Sequence, residues 1–301
     1  MAPYRRVLVG IGGSDRDRDA LTLARRLIEP RAGELILAHV DDDRSFRVLR
    51  PQPRAAPADL LAAARAEAGS GTAVSVRSPR AGSVARGLTE LAEEADADIV
   101  VVGSAAPPVD GRITPGRLGM RLVQGAPCAV ALVPAGASDA GPFHHVGIAF
   151  DGSPEAAAAL AAGYAIAARD GAAVTLYHVM AALGGGGSGA AEEVDAGLRA
   201  DRLRAHQQLD AAADAAPAGV NPRTVLLHGD PAQRIAAACD GIVDVLFAGS
   251  RGYGPMHRAL AGSVSEGLLL LSTQPVVITP RGEKPAAGDP AGEAPADRAP
   301  A

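Results

Sequence analysis

Short runs of Val, Ile, Leu and Ala, bounded by glycine, proline or charge, recur along the chain and alternate with stretches whose apolar residues fall at helical spacing. Val7-Leu8-Val9-Gly10-Ile11, Leu35-Ile36-Leu37-Ala38-His39-Val40, residues 73–76, Ile99-Val100-Val101-Val102 and residues 129–133 read as strands. Between them lie a helix capped by Ser14 and running to Ile28, and helices over 58–68, 84–95 and about 118–124, with a long charged, proline-bearing loop at 41–57. The strand runs are apolar throughout instead of alternating. Such strands are covered on both faces, so the pattern predicts an α/β fold with a parallel sheet.

The same pattern then starts again. Strands fall at Val146-Gly147-Ile148-Ala149-Phe150, 173–179, 224–227, 245–248 and 276–279, with Ser153 capping a helix that has Pro154 in its first position. A charged amphipathic helix covers 192–213, and further helices start at Asp230-Pro231 and at Val264. An offset of 146 positions relates Gly103 to Gly249, Gly116 to Gly262 and Pro134 to Pro280; one of 139 relates Gly13-Ser14 to Gly152-Ser153 and His39-Val40 to His178-Val179. The chain reads as a tandem duplication: a domain at 1–135, a linker at 136–144, a second domain at 145–280, and a disordered tail at 281–301 rich in Pro, Ala and Gly.

Composition narrows the function classes. A net charge of −5, no Trp, four Tyr and four Phe argue against nucleic acid and against an anionic membrane surface as partners. No leader opens the chain and its longest apolar run, 156–168, is too short to span a bilayer, so a cytoplasmic protein is expected. Cys128 and Cys239 make neither a metal-ligand spacing nor a disulfide framework and read as small buried fillers. The only lysine is Lys284, in the tail. A Walker A loop and a kinase site each need a lysine beside the phosphates, so neither is built here.

The candidate chemistry centres on Gly249-Ser250-Arg251-Gly252 and Gly262-Ser263, which lie between a strand and a helix. Glycines let backbone N–H groups approach an anion closely, and the helix N-terminus adds its dipole. Ser263 with Glu266 is also a capping box that needs no ligand. His39 and His178, at strand ends, read as structural; His228 could touch a ribose, Arg251 could cover a phosphate chain, and His257 lies inside the loop. No set of His, Ser and Asp has the spacing of a hydrolytic triad, so no catalytic residue is assigned.

Gly249-x-x-Gly252, nine residues, then Gly262-Ser263, with Asp151 directly after the first strand of the second half and Gly229-Asp230-Pro231 after the third, resembles the universal stress protein family in its tandem two-domain form. The resemblance implies two five-stranded parallel sheets of order 3-2-1-4-5, with the crevice between strands 1 and 4 as the ligand site. It implies ATP as ligand, magnesium arriving with the nucleotide, and Asp151 with the backbone of Ala149 and Val179 around adenine and ribose. Gly249 and Arg251 belong to the same motif. The N–H groups of Gly252, Gly262, Ser263 and Val264 would hold the phosphates, helped by the hydroxyls of Ser263 and Ser265.

The first half departs from this pattern: Gly12 stands where the second has Asp151, Ala106 where it has Gly252, and Arg117 where it has Ser263, while Pro107-Pro108 removes two N–H donors. A degenerate first site is therefore expected, with Ala106 strained if the loop needs positive φ there. The resemblance also implies edge-strand pairing of the two domains as an internal pseudo-dimer, with a homodimer of chains and an unknown protein partner both open. Two other classes stand beside a nucleotide-responsive regulator. One is an enzyme, either a slow ATPase or an adenylating enzyme suggested by Gly12-Gly13-Ser14-Asp15; the other is an interaction protein without nucleotide.

Overall fold

In a computed structural model of the chain, the described residues are 4–42, 56–69, 71–107, 110–137, 141–180, 191–250 and 263–280, with backbone only at 191–196 and 263. The first half runs β1 (Arg6–Gly10), α1 (Arg16–Leu27), β2 (Glu34–Ala38), β3 (Asp41–Asp42), α2 (Pro57–Ala68), β4 (Ala73–Arg77), β5 (Arg80–Ala81), α3 (Val84–Glu94), β6 (Ile99–Gly103), α4 (Gly116–Gly125) and β7 (Ala129–Val133). The second runs β8 (His145–Ala149), α5 (Pro154–Asp170), β9 (Ala173–Met180), α6 (Ala191–Asp214), β10 (Arg223–His228), α7 (Pro231–Cys239), β11 (Val245–Gly249), α8 (Ser263–Leu271) and β12 (Val276–Thr279).

One sheet of ten strands holds both halves, in the order β10-β9-β8-β11-β12-β7-β6-β1-β2-β4. Within each half the pairs are parallel and follow 3-2-1-4-5, as the resemblance implies. Where the halves meet, β12 pairs antiparallel with β7, Val277 opposite Ala131. The two fifth strands thus hide each other's edges, leaving β4 and β10 at the rims.

Strand side chains alternate between faces, and each face has its own helices. Val7, Val9, Leu35, Leu37, Ile99 and Val101 point towards α1 and α2, and continue into Val146, Ile148, Leu176 and Phe247 against α5 and α6. Leu8, Ile36, Val100, Val102, Leu246 and Ala248 point the other way, into the layer of α3, α4, α7 and α8. Burying a side chain such as Phe247 contributes about 1.5–3 kcal/mol. At the junction Arg26 stacks its guanidinium on Phe143, 3.9 Å from the ring centroid, and Arg169 of α5 donates to the Ile28 carbonyl (3.0 Å) at the C-terminus of α1. Cations there complement the helix dipole and join the halves.

Three local expectations are corrected. The 41–57 loop begins with a strand, since Asp41 and Asp42 pair with Arg80 and Ala81, and Arg80 reaches Asp41 at 3.3 Å. Ser14 is not the cap of α1: Asp15 takes that position with no side-chain bond, and Asp17 from the first turn reaches back to the strand-to-helix turn. Among the described residues of the 103–116 loop positive φ falls at Asp110, Gly111 and Gly116, not at Ala106. Ser153 and Asp230 do cap α5 and α7, accepting from Ala156 N (3.2 Å) and Gln233 N (2.9 Å).

Candidate functional site

The strand order reverses between β8 and β11, where β9-β8 runs one way and β11-β12 the other. Loops leaving such a switch point diverge and open a crevice at the carboxyl ends of the strands. A cavity of about 220 Å³ lies there, floored by Ala149 and Ala248 at the ends of β8 and β11. Tyr177 and Val179 of β9 and Ile235 of α7 form an apolar wall. Asp151 and Ser153 stand at one rim, Gly249, Val264 and Ser265 at the other.

Five of the residues expected around a nucleotide thus meet in one place besides Asp151: Ala149, Val179, Gly249, Val264 and Ser265. Ser263 opens α8 beside Val264. Arg251, Gly252, Gly262 and His257 lie outside the described residues. Asp151 is exposed, and its Oδ1 accepts from Ser153 N at 3.0 Å, which holds the carboxylate over the turn. Ser265 is buried and donates from Oγ to the Gly249 carbonyl at 3.1 Å, tying α8 to the end of β11. Glu266, the capping-box partner of Ser263 in the sequence, accepts from Gln124 Nε2 of the first half at 3.2 Å.

Gly249 has a packing reason to be glycine. A β-carbon there would stand 2.5 Å from the Glu155 carbonyl carbon and 2.6 Å from Ala156 N, so the first turn of α5 rests directly on the end of β11. Gly103 carries α1 in the same way, with Arg16 O at 2.6 Å. The two strand-four glycines are therefore needed for helix–strand contact in both halves.

His39 Nδ1 lies 2.8 Å from the Ile11 carbonyl. His178 is half-buried with Nδ1 out of solvent; burial holds its pKa below the ordinary range, opposed by the nearby Asp151 carboxylate and the Phe150 backbone. His228 is exposed at the end of β10.

At Gly10, the first-half counterpart of Ala149, a β-carbon would meet Val102 Cγ1 at 3.0 Å and Leu88 Cδ1 at 3.2 Å, so side chains crowd the end of β1. In the turn below, Asp17 accepts from the N–H groups of Gly12 (3.1 Å), Gly13 (2.6 Å) and Ser14 (3.2 Å). Three successive N–H groups aimed at one carboxylate form an anion nest, and the chain fills it with its own anion. The Gly12-Gly13-Ser14-Asp15 stretch, which suggested an adenylating enzyme, has the N–H groups of Gly12, Gly13 and Ser14 already taken. Arg117 is exposed.

Sequence reasoning passed over Asp17, Tyr177 and Ala248. An acidic residue in a first helical turn carries no special signal, and an alanine or tyrosine in a strand reads as core; only comparison of the two halves position by position would have marked them. Among the described residues no three His, Cys, Asp or Glu side chains come together to hold a metal ion. No helix of the described residues is long and apolar enough to cross a membrane.

With this geometry in hand, the model of the universal stress protein family matches residues 3–134 and 142–280. Among solved structures, a universal stress protein from Archaeoglobus fulgidus is 17% identical, covering 92% of this chain and 97% of its own, with a TM-score of 0.60. A putative universal stress protein from Pseudomonas aeruginosa is 15% identical over 92% of this chain and 93% of its own (TM-score 0.65). The cytoplasmic domain of a prokaryotic cation chloride cotransporter is 12% identical over 94% and 98% (TM-score 0.55). At such identities the likeness speaks for the fold. No curated protein matches the chain.

Proposed function

The chain belongs to the universal stress protein family, and from that premise we propose that it is a nucleotide-responsive regulator whose second half binds one adenine nucleotide, ATP, per chain. The observation that carries this reading is the cavity at the second switch point, set against the close packing at Gly10 in the first half. Its apolar floor and wall suit a planar base. Asp151 at the rim would accept from ribose hydroxyls, and the N-terminus of α8 would meet the phosphates.

The residues fit a nucleotide that brings its own magnesium. Phosphate oxygens would hold that ion, and among the described residues no three His, Cys, Asp or Glu side chains come together to do so. Bound nucleotide would fill the mouth between β8 and β11 and add its own charge there, so the bound and free forms would present different surfaces. A regulator needs that difference in shape, and no fast chemistry. A micromolar site requires about 8 kcal/mol, within reach of an enclosed base and several N–H bonds.

The test is purification under native conditions, denaturation, and chromatography of any released nucleotide, followed by calorimetry with Mg-ATP. About one ATP per chain is expected. Two per chain would overturn the one-site reading, and none at millimolar Mg-ATP would overturn nucleotide binding altogether.

A further inference from the structure

The two halves share a fold but differ in the side chains around the ends of their first strands, and the largest difference in size is at one place on the second strand. Tyr177 leaves β9 on the face that carries α7, is 4% exposed, and lines the cavity. Its hydroxyl donates to the Ala238 carbonyl of α7 at 3.4 Å. Burial and the neighbouring Cys239 push the phenol's pKa up, so the hydroxyl stays a donor. The ring therefore stands between sheet and helix.

In the first half the same place on the second strand is Ala38, one residue before His39 as Tyr177 is one before His178. There Val102 Cγ1, from the place that Ala248 holds in β11, and Leu88 Cδ1, at the place of Ile235 counted from the helix caps Ser83 and Asp230, come within 3.0 and 3.2 Å of where a β-carbon on Gly10 would stand. Protein interiors close over unsupported voids. Beneath α3 there is no ring, and Leu88 reaches the end of β1; beneath α7 the Tyr177 ring stands with Ile235 in the wall of the cavity.

We infer that Tyr177 is the positioning residue of the second-half site: its ring props α7 off the sheet and so creates the space that admits the base of a nucleotide. The inference rests on the nucleotide reading and adds what decides which half can bind. Position 177 gates the base and leaves the phosphate side, built from α8 and the end of β11, untouched.

The full chain and its Tyr177→Ala, Tyr177→Leu and Tyr177→Phe variants are compared by calorimetry with Mg-ATP and with inorganic tripolyphosphate, with circular dichroism and melting temperature confirming the fold. Tyr177→Ala should weaken ATP by about tenfold or more and leave tripolyphosphate within about twofold; Tyr177→Leu, which keeps apolar bulk should the alanine variant fail to fold, should fall between. Tyr177→Phe should bind ATP as the native chain does, because the prop is the ring. ATP binding unchanged in the alanine or leucine variant overturns the inference. So does a parallel loss of both ligands, which would mark a general structural role. If the native chain binds no ATP, the nucleotide reading fails first and this inference with it.

Discussion

Replacing Gly249 by alanine tests the contact on which the second-half site is built. The new methyl would lie 2.5 Å from the Glu155 carbonyl carbon, 2.6 Å from Ala156 N and 2.8 Å from Glu155 Cβ. Carbon atoms in contact rest at about 3.5–4.0 Å, so a gap of about 1 Å has to open. Two of the three obstructing atoms are backbone, which no rotamer change can move aside. Either the first turn of α5 lifts from β11 or the strand end bends, and overpacking of this kind costs about 1–3 kcal/mol; rigid neighbours place Gly249→Ala near the top of that range. Urea unfolding reads the loss as a lower midpoint at unchanged slope. Gly197→Ala is the control: nothing lies within 4 Å of a β-carbon there, in the exposed interior of α6, and alanine should stabilise by about 0.5–1 kcal/mol. If Gly249→Ala stays within about 0.5 kcal/mol of the native chain, the close approach of α5 to β11 is wrong, and so is the packing reason for this glycine.

Three further outcomes are expected. Asp17→Ala should cost about 1 kcal/mol by leaving the N–H groups of Gly12, Gly13 and Ser14 to water, measured as a lower urea midpoint. Burial opposes ionisation of Asp170, yet the Arg169 guanidinium and the Phe143 N–H hold its carboxyl below the usual range. Its stability contribution is therefore present above the ordinary carboxylate pKa and lost as pH falls through the lowered one, and Asp170→Asn should flatten the acid limb of a stability–pH curve. Both cysteines are buried, and burial pushes the Cys239 thiol up to about 12, so a thiol reagent should label neither until the chain unfolds.

Much of this architecture is legible in the sequence because parallel strands buried on both faces leave a strong apolar signal. The runs around Val7, Ile99 and Val245 fall where β1, β6 and β11 stand, and the two offsets expose the repeat in the sequence itself. The site is legible in part: Ala149, Asp151, Val179, Gly249, Val264 and Ser265 do converge. Their roles are less so. Gly249 reads as a phosphate contact, whereas the structure shows it also making room for a helix, since a glycine's sequence does not say which neighbour comes close. Asp17 acts through backbone N–H groups that any residue would carry, and the short β3–β5 pair rests on main-chain bonds that its polar side chains do not announce.

The antiparallel seam between β7 and β12 has a consequence for how the molecule behaves on dilution. Two separate copies meeting along such an edge would come apart as their concentration fell, and their folded state would be tied to how much protein a cell holds. Here a short tether after β7 keeps the second copy at an effective concentration in the millimolar range, whatever the bulk value. Assembly becomes part of folding a single chain, and each half is free to change without having to match a copy of itself.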